Sequence, residues 1–544
     1  MTAHARTRDP LAVALVEQEA DLRSNRATVE TLWQQIAELV IPRRAAFQDQ
    51  VTEGVLRDRK ILDSTAARSL ELFASFIHTL LNNPSVRWIK VRVSSAPELN
   101  KRAGVRAWLE AVSEIIMIEL SGPNANIYSH LHQVYLDLGA FGTAVVFLDG
   151  APGGGLRVRY HQLDSVVLAE GESGHIDTAH LTMNFTPRQA QQRWPGLDLG
   201  KSVMDAKGKK LHEPLRFLHS VFPVTDAVMS MLPARARLGG APFGSSWSNA
   251  QDRVTIQSGT YEEFPYMTPR WYKSRGAIYG RSPAMTVLPD IRMVNTMSDT
   301  ILRGAEKVVD PPLILPDGSM ISPVRMFAGG LSFSDGKVDV TTLIPPGSAR
   351  IEVGNDLLQR RQEAIREGFF VPLFATPDSP VKTATQVLQE ADERNRAISP
   401  MLVRTQEELH QGLATRSFNI LDRQGRFPPM PPILRGHKLE IEFVSPLTSS
   451  QKETEGLSTM RFFEAMAAWG QVDEGVFDGV DIDIVREVLH DATGAPAKIG
   501  RSKSDIARLR AARQEQENTI QQQQQLVEGA EVLAKLQAAN RPRS

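Results

Sequence analysis

"YGRSPAMTVLPDIRMVNTMSDTILRGAEKVVDPPLILP", from Tyr279 to Pro316, is the stretch whose reading decides the fold. Ser282 suits a helix N-cap, because its hydroxyl can accept an unpaired N–H of the first turn. Pro283 suits the first helical position, where no N–H is needed. Met285, Leu288, Ile291, Val294, Met297, Ile301, Ala305 and Val308 recur at helical spacing and form one continuous apolar stripe. Pro289, within the first two turns, should cost a little or bend the start. Asp310-Pro311-Pro312 should end the helix, since a residue before proline avoids the helical region. About 26 residues at about 1.5 Å each predict a rod of roughly 39 Å.

Downstream, Leu313 to Val353 holds short strands and turns punctuated by Pro316, Gly318, Gly329-Gly330, Gly336 and Pro345-Pro346. "GNDLLQRRQEAIREGFF" then returns as a second helix, so a small β module sits between two helices, a hairpin-like stalk with a head at its tip. "VPLFATPDSPVK" carries three prolines and is expected to be non-helical. Thr383 with Gln386 is a capping-box signature opening a very long helix, which Pro400 should kink and "FPPMPP" should close. "HKLEIEFVSPL" reads as a strand, and the tail from "IARLRAARQ" as mostly polar helix.

Upstream, Leu11 to Val40 reads as helix, with Leu22, Val29, Leu32, Ile36 and Leu39 at helical spacing. A polar loop follows around Gly54. Asp63 and Ser64 can cap a second helix that ends at Asn82, Asn83 and Pro84. Further helices are expected from Glu98 to Leu120 and from Ile127 to Leu138. At Gly142 the period changes: "TAVVFLDG", "LRVRYHQL", "SVVLAE" and "HIDTAHLTMNF" are short β-type runs between glycine turns. Pro187 to Trp194 suits a short helix, "EPLRFLHSVFPV" and "RWYKSR" suit strands, and Gly/Ser-rich Ala241 to Gln251 suits a loop. The fold class is therefore α+β, predominantly helical.

The totals narrow the function. The 544 residues predict three or four structural units, and a 42% hydrophobic content is ordinary for a chain with a buried core. A formal net charge of -1 gives no basic excess of the kind that grips nucleic acid tightly. With no cysteine there is no disulfide, thiolate nucleophile or Cys-ligated zinc, and an intracellular origin fits. The start has no apolar run long enough for a signal peptide, and no stretch approaches the length of a membrane span.

Catalytic patterns are lacking. There is no GxxxxGK[ST] phosphate loop and no HExxH helix. "GAPGGG" at Gly150 to Gly155 reads as a hairpin turn between strands. "GSSWS" at Gly244 to Ser248 lacks a strand-to-helix elbow and reads as loop. His130 and His132 share no helix face, and no carboxylate set has metal spacing. No cofactor is expected. Lys503, Arg508, Arg510 and Arg513 lie in or near one helix, either a solvated face or a phosphate-facing surface. Lys382 is similarly ambiguous.

The order of parts resembles the bacteriophage head-to-tail connector, or portal, family in its short-tailed (podovirus-type) form. The matching stretches are "LWQQIAELVIPRRAAF", "ILDSTAARSLELFASFIHTLLNNPSVRWIKV", the segment from Tyr279 to Pro316, and "TATQVLQEADERN"; "YGRSP" and "VVDPPLILP" are the most telling. The likeness spans roughly Leu32 to Leu447. It implies a non-enzymatic subunit of a ring, usually of twelve copies, at one capsid vertex, with double-stranded DNA passing through its channel. It also implies a division into wing (1–278), first stem helix (279–310), clip (311–353), second stem helix (354–371), channel loop (372–383), long wing helix and return strand (384–450) and crown (451–544). By the same resemblance, Phe374, Ala375, Thr376, Pro377, Asp378, Ser379, Pro380 and Lys382 would face DNA. Leu288, Ile291, Val294, Met297, Ile301 and Val308 would meet neighbouring subunits. Pro311, Pro312, Leu313 and Leu315 would belong to the clip. Implied partners are terminase, tail adaptors, the major capsid protein and scaffold, with no membrane. The readings set against it are a coiled-coil scaffolding protein and a nucleic-acid enzyme with an unrecognised site.

Overall fold

The computed structural model describes residues 9–47, 60–84, 87–225, 240–309, 313–314, 341–342, 351–374, 399–400, 402–444, 456–466, 480–493, 505–520 and 530. It divides into two units. The first takes Met1–Trp88 and Ile118–Gln424, the second Ile89–Met117 and Gly425–Ser544.

The first unit opens with α1 (Pro10–Asn25) and α2 (Ala27–Val40). The single helix expected over Leu11 to Val40 is broken at Arg26, whose φ is -92 and ψ 1. The side chain explains the break. Its guanidinium donates to the carbonyls of Leu163 (3.2 Å) and Asp164 (3.1 Å) and to that of Val166. The buried stripe of α2 is Trp33, Ile36, Ala37 and Val40. Trp33 Nε1 donates to Phe141 O at 3.2 Å. Next comes α3 (Thr65–Leu81), where Asp63 Oδ1 accepts the Thr65 N–H at 2.8 Å. In the second unit, β1 (Ile89–Val93) is followed by α4 (Ala103–Ser121), which continues into the first unit. α5 (Ile127–Phe141) is almost wholly buried toward its end and stops at Gly142, whose φ of 77 is the left-handed cap glycine permits.

The β body follows. Strands β2 (Val145–Gly150), β3 (Leu156–His161), β4 (Val166–Glu170) and β5 (Ile176–Phe185) are those expected from the sequence. The "GAPGGG" turn joins β2 to β3 with Ala151 N bonded to Gly155 O at 3.0 Å. α6 (Pro187–Arg193) begins with a capping box between Thr186 and Gln189, and a short α7 (Lys201–Met204) follows. Then come β6 (Leu215–Pro223), β7 (Phe243–Asn249), β8 (Val254–Tyr261) and β9 (Tyr266–Met267). One sheet is the antiparallel meander β4-β5-β6-β7-β8; another has the order β3-β2-β9.

Two expectations fail here. The Gly/Ser-rich segment at Ala241 to Gln251, with "GSSWS" inside it, is not a loop: it contains β7, an inner strand paired with both β6 and β8. Its polar side chains are buried but satisfied. Ser245 Oγ meets His219 Nε2 at 3.1 Å, and Asn249 Nδ2 donates to Leu199 O at 2.9 Å. Packing and pairing have overridden composition. Conversely "RWYKSR" is no strand. It makes only the isolated bridges Thr143↔Arg270 and Tyr272↔Arg281, because Arg270 and Trp271 turn into the core.

The first unit continues with α8 (Pro283–Val309), the strand pair β10 (Leu313–Ile314) with β11 (Thr341–Thr342), and α9 (Ile351–Gly368). The proline-bearing "VPLF" is not wholly irregular as expected. Val371–Phe374 forms one helical turn, in which Pro372 sits near the start, where its missing N–H costs nothing. Residues 375–398 lie outside the described residues, so the start of the long helix does too. Residues 399–400 and 402–405 are helical, and the departure from α geometry comes after Pro400, as a π-helical turn at Gln406–Gln411. α10 (Gly412–Arg423) follows and ends before Gly425, whose φ is 64.

In the second unit β1 pairs antiparallel with β12 (Leu439–Phe443), in register from Ile89↔Phe443 to Val93↔Leu439. Ser113 Oγ accepts from Val91 N at 3.0 Å, and Trp108 Nε1 donates to Pro428 O at 3.0 Å. Helices at 456–466 and 505–520 and α11 (Ile482–Thr493) complete its described residues. The segment 384–450 is thus split: its residues to Gln424 belong with the first unit and those from Gly425 with the second.

Candidate functional site

The "YGRSP" stretch is an anchor. Ser282 Oγ accepts the Met285 N–H at 3.0 Å and donates to Ala140 O at 2.8 Å, so the cap of α8 is also a tie to α5. Gly280 N donates to Thr143 Oγ1 at 2.7 Å, and Gly280 lies so close to Gly142 O that a Cβ would collide with it. Arg281 exchanges both backbone hydrogen bonds with Tyr272, at 2.7 and 3.2 Å. The Tyr279 ring meets Trp33 edge-on at 5.1 Å, and its hydroxyl accepts from Leu168 N at 3.1 Å.

From that anchor α8 runs for 27 residues, about 40 Å at ~1.5 Å per residue. Its first half is core. Ala284, Val287, Leu288, Ile291 and Val294 are buried within the chain, where α8 packs on α2, α3, α5 and α9. Leu288, Ile291 and Val294, expected to meet a neighbouring subunit, are 4%, 4% and 1% exposed within the chain itself. Met297 and Ile301 are half-buried; the side chain of Val308 lies outside the described residues.

Polar ties fix the rod. Asn295 donates to Lys60 O at 2.9 Å and accepts from Leu62 N at 2.7 Å. Arg292 donates to Gln35 Oε1. Arg361 of α9 bonds Asp290 at 3.0 Å, and Gln362 donates to Asp63 Oδ2 at 2.7 Å. At the base, Gly368 faces Val287 so closely that a side chain would not fit, while Ile365 and Phe369 are buried. Farther out, Leu302 and Leu357 stay 55% and 48% exposed. Leu302 continues the same helical face as Ile291, beyond the point where the chain covers it. None of these ties was readable from the apolar stripe, since they pair polar residues distant in sequence.

The other expected residues are scattered. Leu313 is in β10, whereas Pro311, Pro312 and Leu315 lie outside the described residues. Phe374 closes the turn Val371–Phe374, and Ala375, Thr376, Pro377, Asp378, Ser379, Pro380 and Lys382 lie outside them. Arg508, Arg510 and Arg513 are exposed on the helix at 505–520; Lys503 lies outside. Among the described residues no group of His, Cys, Asp and Glu is placed to hold a metal, and no helix is long and apolar enough to cross a membrane.

Comparison with known sequences decides the family. The family described as bacteriophage head to tail connecting protein matches residues 14–500. The chain belongs to this family. Its function is accordingly that of a head-to-tail connector, the portal of a phage head. The connector is similar to "Probable portal protein" of Bordetella phage BPP-1, 27% identical over 539 residues, covering 96% of this chain and 94% of the relative. It is also similar to "Portal protein" of Salmonella phage epsilon15, 23% identical over 544 residues, covering 97% and 96%. The connector and these relatives therefore align over almost their entire lengths.

Proposed function

We propose that copies of this connector close into a ring at one vertex of the capsid and form the conduit through which double-stranded DNA enters and leaves. In this reading α8 and α9 are the stem, 311–353 the clip, 372–383 the loop facing DNA, and 451–544 the crown. The body before α8 would be the wing. Packaging terminase and later tail adaptors would dock at the clip, and capsid and scaffold proteins at the wing. The subunit is an assembly component with no chemical step of its own.

The observation that carries the reading is the α8–α9 hairpin. Its base is locked into the body, while Leu302 and Leu357 remain uncovered farther out. Repeated head-to-tail around an axis, such a hairpin buries those leucines against the next copy, and rotation closes the ring. A net charge of -1 suits a channel in which DNA slides, because dense phosphate pairing would hold it. A coiled-coil scaffold is disfavoured by the five-stranded sheet.

Light scattering with negative-stain imaging tests this. Rings near twelve times 60.2 kDa with a central hole are expected. A species that stays monomeric even with scaffold added would refute ring formation. Deleting 375–380 should leave rings intact and impair packaging or retention of DNA; loss of the rings would remove that loop's assigned role.

A further inference from the structure

Three arginines of the β body carry charge that no described carboxylate neutralises. Arg157 and Arg159 alternate with Leu156, Val158 and Tyr160 along β3, so with His161 they leave the strand on one face. Arg193, the last residue of α6, holds its guanidinium over Trp247 at 4.5 Å, Trp194 at 5.0 Å and Phe185 at 5.2 Å. Trp247 stacks on His219 at 4.4 Å, and His219 lies 5.8 Å from Phe147. Phe147 is the cross-strand partner of Arg159. The arginines thus border one continuous cluster.

They repel one another. Desolvation, and then the charge of Arg157, lowers the pKa of Arg159; desolvation, then Arg159 and Arg157, lowers that of Arg193. Elsewhere in the first unit buried arginines are answered: Arg44 by Asp137, Arg270 by Glu408, Arg416 by Glu263. Here Asp149 sits opposite Arg157 in register, but its carboxylate is committed elsewhere. It accepts from Gly150 N at 2.9 Å and Tyr261 Oη at 3.5 Å, and lies 3.7 Å from Arg416. Arg157 Nε is buried with no hydrogen-bond partner. Partly desolvated like charges without a counter-charge are costly, and the missing component is an anion.

We propose that Arg157, Arg159 and Arg193 form a binding site for a phosphate oxyanion, either free or part of a phosphodiester backbone. Three planar guanidinium forks suit the several oxygens of a tetrahedral phosphate, whereas one carboxylate satisfies a single fork. The aromatic bed under Arg193 holds that fork in place while its edge stays available. This site does not depend on the ring or on the channel loop.

The test uses purified full-length protein, with chloride, inorganic phosphate and a short duplex DNA compared at constant ionic strength. The readouts are the melting temperature and tryptophan emission, to which Trp194 and Trp247 contribute beside Arg193. Phosphate should bind saturably and raise the melting temperature above that in chloride. Arg157→Gln and Arg159→Gln should each weaken it at least tenfold. In phosphate-free buffer both variants should melt at or above the wild-type temperature, because repulsion is relieved. If DNA displaces phosphate, and each substitution lowers its salt slope by about one, the source is a phosphodiester. If phosphate binds and DNA does not compete, the source is a free anion. The proposal is overturned if neither phosphate nor DNA differs from chloride, or if the variants bind like wild type. It is also overturned if the variants melt well below wild type without phosphate.

Discussion

Arg270 holds Glu408 through both its side chain and its backbone. Arg270 Nη2 donates to Glu408 Oε1 at 2.6 Å, and the Arg270 backbone N donates to Oε2 at 2.8 Å. Both side chains are buried, at 1% and 8% exposure. Glu408 sits in the π-helical turn Gln406–Gln411, where the wider turn re-aims side chains. Glu408→Ala leaves the guanidinium buried, with Glu170 at 3.8 Å as its remaining carboxylate. The expected loss of stability is about 3–5 kcal/mol. Denaturant unfolding measures it, and a loss below ~1 kcal/mol would mean that Glu170 or water replaces the pair.

Two glycine substitutions should move in opposite directions. Gly280→Ala places a methyl against the backbone oxygen of Gly142, which cannot yield without shifting the cap of α8. It should cost about 1–3 kcal/mol or more. Gly304→Ala, on the same helix, meets nothing within 4 Å. It should gain about 0.5–1 kcal/mol. Melting curves of the two variants check both signs.

Along α8, position decides whether a charge unfolds the subunit or only separates it from its neighbours. Ile291→Asp buries a carboxylate in the protomer core and should unfold it. Ile301 is half-buried, its Cδ1 lying 3.5 Å from where a Cβ on Gly354 would be, so Ile301→Asp should first loosen α8 from α9. Leu302→Asp, at a 55% exposed site, should leave folding within about 0.5 kcal/mol of wild type. It should abolish the high-mass species in light scattering. A normal ring from that variant would put the contact on another face.

Acid should weaken the first unit through its buried histidines. Burial pushes His410 down to about 3 and His180 to about 4. Burial, followed by His161 and Arg193, pushes His219 to about 3; burial, then Arg159, pushes His161 to about 4. All four are neutral in the fold and gain protons near pH 6.5 once unfolded. Their contribution is complete above that value and is lost as pH falls toward 4, at up to about 1.4 kcal/mol per unit for each. Asp137 opposes them, since burial raises it to about 6. Melting temperature should therefore drop between pH 7 and 5, and His219→Phe should flatten that drop.

Helices with a clean apolar period were legible in the sequence: α3, α5 and α8 begin and end close to their punctuating residues. So were β2 to β6, whose β-branched and aromatic runs carry their own propensity. β7 was not legible. Its Gly, Ser and Asn residues become strand only because β6 and β8 flank them and because His219 and Leu199 satisfy their side chains. α8 was legible as a helix, but not which half of its apolar stripe the chain itself would cover; that follows from α2, α3 and α5, which pack on it in addition to α9. The Arg157, Arg159 and Arg193 cluster joins a strand to a helix, so no local motif announces it.

The β1–β12 pairing also sets a clock. Arg92 and Glu440, which meet across it at 3.3 Å, are 348 residues apart. At about 5–20 residues per second, a ribosome needs roughly 20–70 s between making one strand and making its mate. Throughout that interval β1 is an unpaired edge, the kind of surface on which nascent chains stick to one another. Lys90 and Arg92, alternating with Ile89, Val91 and Val93, keep two positive charges on that edge while it waits. A chain cut short before Leu439 never completes the pair. Polypeptides truncated upstream of β12 leave β1 without its partner strand and the second unit without its sheet.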